Sequence, residues 1–143
     1  MARRASAPRG SGRPRDDALT RAILAAMLDL VARHGFRDAR IEDAAVRVGT
    51  SKQAIYRRWP DKSVLVAEAV RAALAGANPA VPDSGRLRDD LVALLSNTIG
   101  ALTKTPLGGA LAALVGETRD AALVACLRSE EHTSELQSQS TIS

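Results

Sequence analysis

Gly49-Thr50-Ser51-Lys52-Gln53-Ala54-Ile55-Tyr56-Arg57-Arg58-Trp59-Pro60-Asp61-Lys62 decides how this chain folds. Gly49 opens a tight turn, and Ser51 can cap a following helix by accepting from its first-turn N–H groups. Pro60 ends that helix, and Asp61 is placed to cap the next. Ile55 and Trp59, one helical turn apart, point inward, whereas Lys52, Gln53, Tyr56 and Arg57 share the other side. A short helix with a cationic, hydrogen-bonding face, reached from another short helix across a glycine turn, suits insertion into the DNA major groove.

Outward from that stretch the periodicity is helical throughout, and no period-two alternation marks a strand. A first helix is expected over Asp17 to Arg33, with Leu19, Ile23, Met27, Leu30 and Val31 at helical spacing and Gly35 as its C-terminal cap. A short second helix follows from Arg40 to Val48, with Ile41, Ala44, Ala45 and Val48 on one face. The reader helix runs from Lys52 to Trp59, and a fourth from Lys62 to Ala75, striped by Leu65, Ala69, Ala72 and Ala73. Residues 76–85, with two prolines and two glycines, read as a linker. Beyond it, a helix over Arg86 to Leu102 carries a leucine stripe expected to pack as core. Another starts at Pro106 and runs through Leu111, Leu114 and Val115, and a last piece covers Asp120 to Leu127. The expected fold class is all-α.

At 143 residues the chain has room for one compact domain, or one small domain and part of another. The net charge of +4 and a pI near 10.0 suit a polyanionic partner, without separating nucleic acid from a membrane surface. Residues 1–15 hold Arg3, Arg4, Arg9, Arg13 and Arg15 and no acid, and read as a disordered basic arm. Cys126 is the only cysteine, so disulfides and cysteine-based zinc sites are excluded and a reducing cytoplasm fits. No apolar run approaches the roughly twenty residues of a membrane span, and the N-terminus lacks the apolar core of a secretory signal.

The tail changes vocabulary at residue 128. Arg128-Ser129-Glu130-Glu131-His132-Thr133-Ser134-Glu135-Leu136-Gln137-Ser138 looks like the in-frame translation of a sequencing-library adapter. Residues 128–143 are therefore read as a non-native tail, and the chain as a fragment of a longer gene product.

The residues offered for a nucleic-acid surface divide by chemistry. Lys52, Gln53, Arg57 and Arg58 supply donors to base edges and phosphates, and Tyr56 offers a rigid phenol within reach of a phosphate oxygen. Ile55 and Trp59 clamp the helix on Phe36 and the Ile41, Ala45 and Val48 face. Lys62 could join the N-terminal end of its own helix in holding a phosphate.

Residues 17 to about 75 resemble the DNA-binding domain of the TetR family of bacterial transcriptional regulators. The resemblance rests on His34-Gly35-Phe36, Ile41-Glu42-Asp43-Ala44-Ala45, Gly49, Ser51-Lys52, Ile55-Tyr56-Arg57-Arg58-Trp59 and Pro60-Asp61-Lys62, taken together at the family's spacing. It implies a helix-turn-helix over residues 40–59 within a DNA-binding unit of residues 16–75. It further implies that residues 86–127 open an all-helical domain for an unknown small-molecule effector and for homodimerisation. The family's closing helix pair, which makes the dimer, has no counterpart here.

By the same resemblance Tyr56 and Lys62 match phosphate-contacting positions, Ser51 and Lys52 the turn into the reader helix, and Gln53, Ala54 and Arg57 base-reading positions. Ala39 and Arg40 stand where the family has a pair of threonines, so Asp38 is the expected cap of the second helix and Arg40 a phosphate contact by charge. Thr50 stands in place of a valine. The implied partner is double-stranded DNA carrying a palindromic operator, with ligand-responsive repression as the activity and no cofactor or metal.

An enzyme would need a nucleophile–base pair, a HExxH or Cys/His cluster, or a glycine-rich phosphate loop after a strand, and the sequence offers none of these. The remaining alternative is a truncated, non-dimerising helical module that binds DNA weakly or binds only a small molecule. DNA binding by this chain, compared with a form whose dimer helices are restored, discriminates the two.

Overall fold

Proline near a helix start costs nothing, because its missing N–H would have had no partner there. Pro14 uses this allowance, and α1 (Gly12–Asp38) begins well before the expected Asp17. The computed structural model describes residues 12–117 and 121–128. Residues 12–15, read from composition as part of a disordered arm, are thus the first turn of α1, while residues 1–11 lie outside the described residues. Helical φ/ψ breaks inside α1 at Gly35, whose φ of 81° is a left-handed value that only glycine adopts freely.

Among the described residues six further helices follow: α2 (Ile41–Val48), α3 (Lys52–Tyr56), α4 (Lys62–Ala77), α5 (Leu87–Lys104), α6 (Pro106–Val115) and α7 (Ala121–Arg128). No strand occurs among the described residues, so the fold is all-α as expected. Gly49 ends α2 at φ 71° and ψ 36°, and the Thr50 N–H returns to the Ala45 carbonyl at 3.0 Å. The capping expectations for Ser51 and Asp61 hold: their side chains accept from Ala54 N–H and Val64 N–H, each at 3.1 Å. The expectation for Asp38 does not. It is the last residue of α1, and α2 is entered through Arg40 in extended backbone with no side-chain cap. Glu42 and Asp43 in the first turn of α2 instead complement its positive end.

The core is continuous across α1, α2, α3, α4 and α6. Ile23, Met27, Leu30 and Val31 of α1 meet Ile41, Ala44 and Ala45 of α2, Ile55 of α3 and Trp59 beyond it. Leu65 and Ala69 are buried in α4 as expected, but Ala72 is exposed and the stripe is completed by Val66 and Val70. The stripe is thus rotated toward α1, against which α4 packs.

Past the linker, α6 turns back and buries Leu107, Ala110 and Leu114 in this same core. It comes close to α1 because Gly109 has no side chain: a Cβ there would stand 3.2 Å from the Ala32 Cβ. The α5 leucines do not form core as expected. No residue of α5 is buried, and Leu87, Leu91, Leu95 and Ile99 all stand exposed, because α5 packs chiefly on α4 and α6. Cys126 of α7 is half-buried rather than a core residue, and its carbonyl accepts from Arg71 of α4 at 3.3 Å. The tail reading concerns residues 129–143, outside the described residues, together with Arg128, the last residue of α7.

Candidate nucleic-acid interface

A five-residue helix has too few internal hydrogen bonds to persist alone, so α3 must be held from behind. Ile55 is fully buried and Trp59 is 3% exposed in the shared core. The Trp59 indole Nε1 donates to Glu68 Oε2 of α4 at 2.6 Å, which fixes the C-terminal side of the reader. Regular helix ends at Tyr56, earlier than expected, yet Arg57 N–H still reaches the Gln53 carbonyl and Trp59 N–H the Ile55 carbonyl, both at 3.0 Å. The last turn therefore keeps its direction while tightening toward Pro60.

The outward side is what the clamp presents. Lys52, Gln53, Tyr56 and Arg57 are all exposed and line one shallow depression. The Lys52 ammonium lies 5.6 Å from the centre of the Tyr56 ring, within cation–π reach. It also pairs with the Glu42 carboxylate of α2, both side chains being about half exposed (48% and 50%). The hydrogen bond from Lys52 holds the Glu42 carboxyl below its usual range, and the same bond raises Lys52. Ser51 is exposed but spends its hydroxyl oxygen on the cap, and Thr50 and Ala54 are half-buried beside the face. Arg40 is exposed at the entrance to α2.

Two of the expected DNA-contacting cations are engaged elsewhere. Arg58 turns from the exposed face and binds the Asp16 carboxylate and the Thr20 hydroxyl of α1. Its guanidinium fork spans the gap between reader and first helix, a use for which arginine's planar donors are suited. Lys62, expected to hold phosphate at the start of α4, points back to the end of α1. Its ammonium donates to the carbonyls of Phe36 at 2.6 Å, Arg37 at 3.1 Å and Ala39 at 3.2 Å, and stands 4.6 Å from the Phe36 ring centre. A helix C-terminus gathers unpaired carbonyls and partial negative charge, which attracts a cation more strongly than the positive end of α4 on which Lys62 sits.

Sequence reasoning missed the partners that make these assignments: Asp16, Thr20, Glu42 and Glu68. Helical spacing predicts which residues share a face, but these contacts join different helices, so no spacing announces them. A second ion-pair group, Asp29 between Arg33 at 2.9 Å and Arg47 at 2.6 Å, ties α2 to α1. Arg37 reaches Glu117 just past α6 at 3.0 Å. Among the described residues no group of His, Cys, Asp and Glu could hold a metal ion, and no single helix is long and apolar enough to cross a membrane.

Residues 23–69, which hold this clamp and its exposed face, match the family model described as bacterial regulatory proteins, tetR family. The chain is 34% identical over 92 residues to the uncharacterized HTH-type transcriptional regulator YdeS of Bacillus subtilis, covering 64% of this chain and 46% of that protein. It is 36% identical over 81 residues to the DNA-binding transcriptional repressor TetR of Mycobacteroides abscessus, covering 57% of this chain and 43% of that protein. A third relative, the uncharacterized HTH-type transcriptional regulator Mb1581 of Mycobacterium bovis, is 38% identical over 73 residues, covering 50% and 35%. The chain therefore spans less than half the length of each of these relatives. No solved structure matches it. The helices that carry the exposed reader face, residues 23–69, are thus those of the tetR family of bacterial regulatory proteins.

Proposed function

We propose that this chain is the DNA-reading part of a transcriptional regulator, with α3 entering the major groove of an operator. The observation that carries the reading is the division of α3: Ile55 is fixed in the core while Lys52, Gln53, Tyr56 and Arg57 stand together on its outer side. On this reading Gln53 and Arg57 address base edges and Lys52 and Tyr56 address the backbone, with Ser51, Thr50 and Ala54 setting the approach. Arg40 adds charge where α2 meets the phosphates. Arg58 and Lys62 act one step back, by holding α3 and α4 on α1.

The fuller assignment follows the family. Two copies would place their reader helices in successive major grooves about 34–36 Å apart, on a palindromic operator. Residues 86–127 would begin the effector and dimerisation region, with repression relieved when an effector changes the spacing of the two readers. The DNA-binding transcriptional repressor TetR among the relatives supports that sign of regulation. Cytoplasmic residence follows from such a role.

Selection from a randomised duplex library, read out by sequencing and by fluorescence anisotropy on the selected duplexes, tests the reading. A shared motif bound more tightly than mixed-sequence DNA is expected. Selected duplexes with no motif in common would remove sequence-specific recognition from the account.

A further inference from the structure

An acid inside a phosphate-binding face is unfavourable unless it performs a task there, because it repels the polyanion that its neighbours attract. Glu42 is such an acid. It lies in the first turn of α2, at the edge of the α3 face, and its Oε1 accepts from the Lys52 ammonium. Both side chains are about half exposed, so the pair is open to solvent and to an approaching phosphate. Exposed ion pairs of this kind contribute little to folding stability. What the pair does control is where the Lys52 charge resides.

We infer that Glu42 restrains sequence-independent DNA binding by holding Lys52 against α2, so that a phosphate can engage this lysine only by displacing a carboxylate. This rests on the proposed DNA-reading function. The geometry leaves the remaining donors of the face untouched: Gln53 and Arg57 stand beside Lys52 with no acid assigned to them by a hydrogen bond or ion pair among the described contacts. Charge-driven attraction is thereby lowered at one position while the groups that read base edges stay available. The Tyr56 ring, 5.6 Å from the Lys52 ammonium, supplies a second anchor that keeps the lysine near the face after the carboxylate is removed.

Removing the Glu42 charge should therefore add one phosphate contact. Binding of the full chain to a mixed-sequence duplex is measured by fluorescence anisotropy across a salt series, for wild type and for Glu42→Gln. The variant is expected to bind more tightly, with a plot of log affinity against log salt steeper by about 0.9, an extra loss of about threefold between roughly 50 and 200 mM salt. Glu42→Asp should retain most of the restraint. Asp89→Asn, which removes an exposed acid of α5, should leave the slope unchanged. In the Lys52→Gln background, Glu42→Gln should give no steepening.

Three results overturn the inference. One is an unchanged slope for Glu42→Gln in a wild type that does bind duplex. Another is an equal steepening by Asp89→Asn, which would make the effect one of net charge alone. The third is persistence of the gain in the Lys52→Gln background, which would make Glu42 a direct repeller of phosphate. Failure of the wild type to bind any duplex would instead refute the DNA-reading function itself, and the inference with it.

Discussion

The Lys62 ammonium on α4 donates to the Phe36 carbonyl of α1 at 2.6 Å and stands 4.6 Å from the centre of the Phe36 ring. Two further carbonyls, of Arg37 and Ala39, accept from the same group. One lysine thus closes the end of α1 and fixes the start of α4, the two helices between which α2 and α3 are slung. Replacing Lys62 by Met keeps much of the apolar stem and removes the donors. Stability should fall by about 1–3 kcal/mol, the usual cost of leaving partly buried acceptors unmet, read as a lower urea midpoint. The salt slope of DNA binding should stay where it is. A slope lower by about 0.9 with an unchanged midpoint would return Lys62 to the role of phosphate contact.

Arg57 and Arg58 are adjacent in sequence and opposite in role. Arg57 is exposed on the reader face, whereas Arg58 is bound to Asp16 and Thr20 of α1. Arg57→Ala should change which duplexes are selected, or flatten the salt slope by about 0.9 if its guanidinium meets phosphate. Arg58→Ala should leave sequence preference alone and destabilise the fold by up to about 1 kcal/mol, since the Asp16 partner is solvent-accessible and screened. The comparison of selected motifs for the two variants checks the assignment, and a changed motif for Arg58→Ala would overturn it.

Asp29 accepts from Arg47 of α2 and from Arg33 of its own helix, and these two hydrogen bonds hold its carboxyl below the usual carboxylate range, the Arg47 bond contributing most. A folded-state value below the unfolded one means that the ion pair stabilises the fold above the ordinary carboxylate range. That contribution is lost as pH falls through the depressed value. Asp29→Asn should therefore have a lower urea midpoint than wild type near pH 7, with the difference closing as pH falls through the depressed value of Asp29. A gap that persists in acid would mean that the contribution of Asp29 is packing or hydrogen bonding independent of its charge.

Short-range chemistry was legible in the sequence, and long-range direction was not. Ser51 and Asp61 cap where their residue type and position before a helix require, and Gly49 takes the left-handed conformation that its place after Val48 demands. Ile55 and Trp59 are inward because a helix permits only one side to be buried. Lys62 could not be placed in this way, since its target is a set of carbonyls more than twenty residues earlier whose directions depend on how α1 ends at Gly35. Arg58 depends on where α1 starts, and the composition of residues 12–15 reads as an arm rather than as the first turn of that helix. The α5 stripe shows the other limit. Amphipathic spacing marks Leu87, Leu91, Leu94, Leu95 and Leu102 as an apolar stripe, but a pattern cannot state whether another element lies against it.

The turn from α5 into α6 gives a last test, because it sets a helix preference against a steric limit. Alanine in place of glycine inside a helix ordinarily stabilises by about 1 kcal/mol. At Gly108, however, an added Cβ would stand 1.9 Å from the Leu102 carbonyl oxygen, a backbone atom that cannot rotate aside. At Gly109 the nearest atom is the Ala32 Cβ at 3.2 Å, a tight contact that a small shift of α6 relieves. Gly108→Ala should therefore destabilise by about 1–3 kcal/mol despite its better propensity, while Gly109→Ala should change stability less. Because Leu107 and Leu114 on either side of these glycines lie in the same core as α1, the loss should appear as a lower unfolding midpoint of the whole cooperative unit. A stabilised Gly108→Ala variant would show that α6 does not leave α5 by so close a turn.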